Sequence, residues 1–129
     1  MAGLPSGSPF YPLEPDRVLF ENEFVLAFYD RYPVSLGHTL VLAKQVTASL
    51  FDLPHDMQAA VLAAVREVRA LLLAKHTPSA FNIGLNDGPA AGQTIAHAHI
   101  HIIPRYTGDQ PDPRGGIRWI FPQKAKYWQ

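Results

Sequence analysis

Three histidines stand at alternate positions late in the chain: His97, His99 and His101, in the run HAHIHII. A β-strand turns successive side chains to opposite faces, so residues two apart point the same way. Read as a strand, the run puts three imidazoles on one surface and Ala98, Ile100 and Ile102 on the other. Same-face Cβ atoms then lie about 6.5–7 Å apart. Imidazoles so placed serve as metal ligands, acid/base groups or nucleophiles. Spacing alone leaves all three open.

The loop ahead of the run, DGPAAGQT, is built of small residues. Small residues let backbone N–H groups approach a ligand, and a run of such groups makes an anion-binding concavity. Gln93 and Thr94 add neutral donors. A donor-lined loop beside imidazoles suits a phosphate better than a carboxyl ester. No Walker-type glycine loop with lysine is present, which excludes a P-loop triphosphatase. Phosphoryl transfer runs without a metal where a neutral imidazole attacks phosphorus in line and fixed donors hold its oxygens. His99, in the centre, is the natural nucleophile. Its neighbours polarise the phosphate and protonate the leaving group, and His38 would fix a tautomer by hydrogen bonding.

These residues need elements to position them. Arg17 to Phe20 and Phe24 to Tyr29 read as a β-hairpin across Glu21–Glu23. His38 to Ala43 reads as a third strand after the Pro33–Gly37 turn. Thr47 to Asp52 reads as a short helical turn. A long helix starts near Pro54, capped by Asp52 or Leu53, and ends before Pro78. Met57, Val61, Ala64, Val65, Val68, Leu71 and Leu72 form its core-facing stripe. Phe81 to Leu85 and Thr94 to Ile103 read as strands four and five. The expectation is an α+β fold: a five-stranded antiparallel sheet with one long helix and a short one. Residues 1–15 read as an irregular leader, 16–105 as the catalytic domain and 106–129 as a tail packed on the domain or on a partner subunit.

The chain has 129 residues, enough for one domain. Lys+Arg and Asp+Glu balance at 11 each, so no global basic field exists for nucleic acid or a membrane surface. The absence of cysteine excludes disulfides, thiolate zinc sites and cysteine nucleophiles, and fits a cytoplasmic location. No signal peptide or membrane span is expected.

Taken singly, several of these residues have plainer readings. His38 alone reads as a half-buried histidine, Asp30 as a turn residue and Phe28 as core. His55 and His76 read as solvated, with His76 complementing the helix dipole. Trp119, Tyr127 and Trp128 either anchor the tail on the sheet or on a partner subunit, or close the pocket. Arg105, Arg114, Arg118, Lys124 and Lys126 read as solvated cations.

The run GQTIAHAHIHIIPR resembles the histidine-triad signature. The resemblance extends over roughly residues 17–105 and takes in DRYPVSLGHTLVLA and NDGPAAGQT. It implies a nucleotidyl hydrolase or transferase, homodimeric, that works through a nucleotidyl-histidine intermediate and needs no cofactor. By position, His99 matches the nucleophile. His97 and His101 match its flanking partners, and His38 the upstream fourth histidine. Asp30 matches a ribose-binding residue and Asn86 a polar neighbour of the scissile phosphate. Gly92, Gln93 and Thr94 match the phosphate-contacting stretch, and Phe28 the apolar lining of the base pocket. A histidine at 101, where transferase branches often carry glutamine, implies hydrolysis. Asp30 is similar to the Hint (histidine-triad nucleotide-binding) branch, which cleaves nucleoside phosphoramidates. The GPAAGQT loop and Pro104-Arg105 are similar to the fragile-histidine-triad branch, which cleaves dinucleoside polyphosphates. The tail DPRGGIRWIFPQKAKYW looks like that of bacterial histidine-triad hydrolases. The implied substrate is a purine nucleotide joined to either leaving group.

Overall fold

The computed structural model describes residues 3–129. Five strands make one antiparallel sheet: β1 (Val18–Glu21), β2 (Val25–Tyr29), β3 (Thr39–Ala43), β4 (Ala80–Gly84) and β5 (Ile100–Arg105). Their order is β1-β2-β3-β5-β4. The helix α1 (His55–His76) crosses between β3 and β4, and a 3-10 turn at Leu50–Asp52 precedes it. This is the α+β architecture expected.

Both faces of the inner strands are covered, which is why β2 and β3 read as unbroken apolar runs. One face, carrying Val25, Ala27, Val41, Ala43, Ile100 and Ile102, receives Val61, Ala64, Val65, Val68 and Leu72 of α1. The other face, carrying Leu26, Phe28, Leu40 and Leu42, is closed by Leu4, Phe10 and Leu13 of the leader. Leu71, expected in the helix stripe, sits at its edge and is 38% exposed. The helix is capped by Pro54, not by Asp52 or Leu53. Proline is suited to this boundary because its fixed φ enters a helix without needing an N–H.

The hairpin turns one residue later than expected, because Asn22 Oδ1 accepts from the N–H groups of both Phe24 and Val25. Asp30 and His38 flank the β2–β3 connection, whose last residue, Gly37, has φ +90°. A Cβ on Gly37 would lie 2.9 Å from His76 Cδ2 as well as adopting a strained φ. His76 is not a free solvated residue: its Nε2 lies 3.2 Å from the Tyr29 hydroxyl.

The fifth strand differs most from expectation. It starts at Ile100 rather than Thr94, so His97 and His99 precede it. The β3–β5 ladder stops at Val41↔Ile100. The next backbone acceptor on β3, the carbonyl of Ala43, takes the His97 ring nitrogen Nε2 at 2.7 Å. The N–H of Ala98 meanwhile donates to the Thr47 carbonyl at 2.8 Å. A side chain thus takes the place of a backbone rung. Pro104 is tolerated in β5 because the ladder with β3 ends at Thr39↔Ile102, so no partner needs the missing N–H. Among the described residues no helix is long and apolar enough to cross a membrane.

Candidate active site

Four histidines lie along the β3–β5 pair, His38 just before β3, His97 and His99 just before β5 and His101 within it, and their hydrogen-bond partners assign each tautomer. The carbonyl of Ala43 only accepts, so His97 Nε2 carries hydrogen and its Nδ1 is a lone pair. That lone pair faces Ser8 Oγ at 2.6 Å, whose hydroxyl must donate to it. The carbonyl of His97 lies 2.8 Å from His99 Nδ1, which must donate. His99 Nε2 is therefore the lone-pair nitrogen.

A second chain runs through His38. The N–H of Val34 donates to His38 Nδ1 at 3.1 Å. His38 Nε2 then carries hydrogen and donates to His101 Nδ1 at 2.9 Å. His101 is left with its proton on Nε2. The constellation offers one free imidazole lone pair, on His99, and one free imidazole N–H, on His101. Their ring centroids are 5.1 Å apart.

Burial favours the neutral forms of His38, His97 and His101. Desolvation lowers the His101 pKa to about 4, helped by the neighbouring rings of His99 and His38 and opposed by Asp30. Desolvation likewise lowers His97 and His38, with Asp30 opposing it at His38. Asp30 Oδ2 lies 3.5 Å from His38 Nε2, while Oδ1 accepts the Tyr32 N–H at 3.0 Å.

His99 and His101 open onto a cavity of about 490 Å³ that Asp30, Asn86, Gly92, Gln93 and Thr94 also line. A second cavity, of about 1070 Å³, holds His38, Ile83, Trp119 and Lys126 among its walls. The two share Asn86 and His101. Most of the site residues inferred from sequence therefore converge, and three sit differently. His97 is fully buried with both nitrogens engaged, so it faces no ligand. Phe28 is fully buried and stands behind Phe10, ring centroids 5.4 Å apart; it is not among the residues lining the cavity. His38 reaches the site through His101.

The small-residue loop works differently from the anion nest its composition implied. The N–H groups of Ala91, Gly92 and Gln93 turn inward to the carbonyls of Gly88 and Pro89. Gln93 pins the loop instead. Its Oε1 accepts the Gly88 N–H, and its Nε2 donates to the carbonyls of Ala48 and Ile95.

The leader supplies what the motif reading missed. Pro9, Phe10 and Tyr11 line the smaller cavity, and the Phe10 ring meets His99 edge-on at 5.2 Å. The aromatic pair Phe10-Tyr11 within a proline-rich segment was the available signal. At the end of β5, Arg105 is no solvated cation: it holds Asp109 at 2.8 Å and donates to Asn82 at 2.6 Å. Arg114 lies over the Trp128 ring and Arg118 over the Tyr127 ring, 4.5 and 4.8 Å from their centroids.

Asp30, His38 and His101 each offer a ligand atom, all within 4.8 Å of one another. As a metal site the cluster fits poorly. His38 Nδ1 is occupied by the Val34 N–H, so His38 Nε2 carries a proton, whereas a ligand nitrogen needs its lone pair.

The HIT domain family model matches residues 12–108. An uncharacterized HIT-like protein of Methanocaldococcus jannaschii is 40% identical over 95 residues, covering 74% of this chain and 73% of that one. A bis(5'-nucleosyl)-tetraphosphatase [asymmetrical] of Schizosaccharomyces pombe is 36% identical over 72% of this chain, which spans about half (51%) of the yeast protein. A crystal structure of a HIT family protein from Bacillus anthracis superposes with TM-score 0.67 at 38% identity, covering 69% of this chain and 63% of the other. The Caenorhabditis elegans NitFhit structure superposes with TM-score 0.72 at 35% identity, over 78% of this chain and 24% of its own. The family match, the shared fold and the histidine constellation agree: the chain belongs to the HIT domain family.

Proposed function

We propose that this protein hydrolyses a purine nucleoside monophosphate from its leaving group through a nucleotidyl-His99 intermediate. The observation that carries the reading is the single free lone pair, His99 Nε2, beside the single free N–H, His101 Nε2, at one cavity. Asp30, lining the same cavity, is assigned to the ribose hydroxyls, and Asn86 and Thr94 to phosphate oxygens. Phe10 and Tyr11, rather than Phe28, wall the space for the base.

In the first step His99 Nε2 attacks phosphorus and the bond to the leaving group breaks, the electron pair departing with that group. The His101 N–H stabilises the oxygen on which charge builds. A polyphosphate leaves as an anion; an amine also takes a proton from solvent. The intermediate is cationic at the ring, and the His97 carbonyl, accepting from Nδ1, offsets that charge. Water then attacks phosphorus and releases a proton to solvent, the P–N bond breaks, and the pair returns to Nε2. The S. pombe relative's description as a bis(5'-nucleosyl)-tetraphosphatase fits a nucleotide leaving group. The reading includes a homodimer. Val34, Leu36 and Ile83 are exposed and apolar, and Ile83 lies on edge strand β4, which leaves surface for a second copy.

Intact-mass measurement of protein quenched during turnover tests this. Diadenosine polyphosphates and adenosine phosphoramidates serve in parallel as donors. An adenylyl adduct, absent in His99→Ala, is expected. Turnover by His99→Ala at the wild-type rate would overturn the assignment.

A further inference from the structure

Ser8 is 4% exposed and lies 89 residues from its partner, His97, across a bond of 2.6 Å. Among the described residues Ser8 is the one hydrogen-bond partner of His97 Nδ1, and the ring's other nitrogen is held by the Ala43 carbonyl. Ser8 Oγ also accepts the Phe10 N–H at 3.1 Å, and the Ser8 carbonyl accepts the Tyr11 N–H at 3.0 Å. Leu4, 8% exposed, anchors the same segment in the apolar layer beneath the sheet. The Phe10 ring sits against His97, His99 and Phe28 at once, with centroids 5.9, 5.2 and 5.4 Å away. Residues 4–13 thus form a strap that closes over the buried side of the triad.

We infer that Ser8 is a positioning residue: its hydroxyl fixes the His97 ring, and through the His97 carbonyl it orients the attacking nitrogen of His99. The inference rests on His99 being the nucleophile. The chain of contacts is continuous: Ser8 O–H to His97 Nδ1, then His97 C=O to His99 Nδ1–H. His97 precedes β5, so no sheet hydrogen bonds hold its backbone. Its carbonyl is held from two sides: the Ala98 N–H of the same peptide unit donates to the Thr47 carbonyl, and the side chain is clamped at both nitrogens. Removing the Ser8 hydroxyl frees one end of that clamp and leaves a buried acceptor unpaired. The ring and its carbonyl gain freedom, and His99 Nε2 spends less time aimed at phosphorus. Small errors of aim are costly in displacement chemistry. Of the residues assigned to substrate, Asp30, Asn86 and Thr94 lie apart from Ser8, whereas Phe10 loses the bond from its N–H to Ser8 Oγ, so binding weakens less than catalysis.

The test compares wild type, Ser8→Ala and Ser8→Thr in the full chain. Ser8→Ala is expected to lower kcat on the order of tenfold, with a smaller rise in KM. Ser8→Thr, which keeps the hydroxyl, restores most of the loss. In ring-nitrogen NMR, wild-type His97 should show hydrogen on Nε2 and a hydrogen-bonded lone pair on Nδ1. In Ser8→Ala the Nδ1 resonance moves towards that of an unbonded lone pair. A Ser8→Ala kcat within twofold of wild type overturns the proposal, as does a wild-type His97 protonated on Nδ1. If Ser8→Ala fails to fold, the wild-type spectrum and the Ser8→Thr kinetics decide. If wild type turns over none of the donors, the proposed activity fails, while the spectra still decide the Ser8–His97 clamp.

Discussion

His38 Nε2 points at His101 Nδ1 across 2.9 Å, and this one bond decides which nitrogen of His101 faces the cavity. With Nδ1 occupied, the proton of a neutral His101 sits on Nε2. His38 is itself held by the Val34 N–H, so the orientation is set from the turn between β2 and β3.

Removing His38 should therefore damage chemistry more than binding. In His38→Ala, His101 loses the donor that assigns its tautomer, and either nitrogen is free to carry the proton. We expect kcat to fall about 10- to 100-fold, with a smaller change in KM. Steady-state kinetics on the preferred donor checks this, and an unchanged kcat would remove His38 from the relay.

Stability should fall in mild acid. His38, His97 and His101 all have folded pKa values below the free-histidine value, His101 at about 4. Unfolded histidines take up protons near pH 6.5, so between there and pH 4 the unfolded state binds more protons. The stability is fully present above pH 6.5 and is lost as pH drops through that window. Water reaching the half-buried His101 reduces the effect, leaving a loss on the order of 1–2 kcal/mol by pH 5. Urea midpoints at pH 7.5 and 5 measure it; equal midpoints would contradict the neutral network.

Gln93 should act through loop order. Gln93→Ala removes three hydrogen bonds, to Gly88, Ala48 and Ile95. A cost of roughly 1–3 kcal/mol is expected, with KM rising several-fold as Gly92 and Thr94 lose their fixed place. Faster amide exchange at Gly88 in the variant would localise the effect, and wild-type KM would show that the pin is dispensable.

Chelation should leave turnover intact. Asp30, His38 and His101 are close enough to suggest a metal, yet the His38 lone pair is already spent on the Val34 N–H. Activity is expected to be undiminished in excess chelator, and a loss restored by added zinc would favour metal catalysis instead.

The order of elements was legible because periodicity and turn chemistry are local. The run LVL in β3 and the valine stripe of α1 each declare their surroundings. The alternation of His97, His99 and His101 was legible as a constellation but misled about its backbone. A strand and an irregular segment with rings turned alternately look alike in sequence. Only the Ala43 carbonyl, taken by a ring, shows why the ladder stops. Phe28 and Phe10 show the same limit: both are aromatic, and which one fronts the cavity depends on where the leader folds back. Ser8 was not legible at all, since nothing local distinguishes a serine that meets a histidine 89 residues away.

That separation bears on biosynthesis. Ser8 leaves the ribosome well before His97 exists. At about 5–20 residues per second the wait is roughly 4–18 s. Through that interval the strap has no histidine to hold, and its apolar side chains Leu4 and Phe10 have only the nascent β2–β3 surface to cover. The catalytic centre is consequently a late product of synthesis. A chain interrupted before the triad would carry the strap, hairpin and helix, yet lack the histidines on which the proposed chemistry rests.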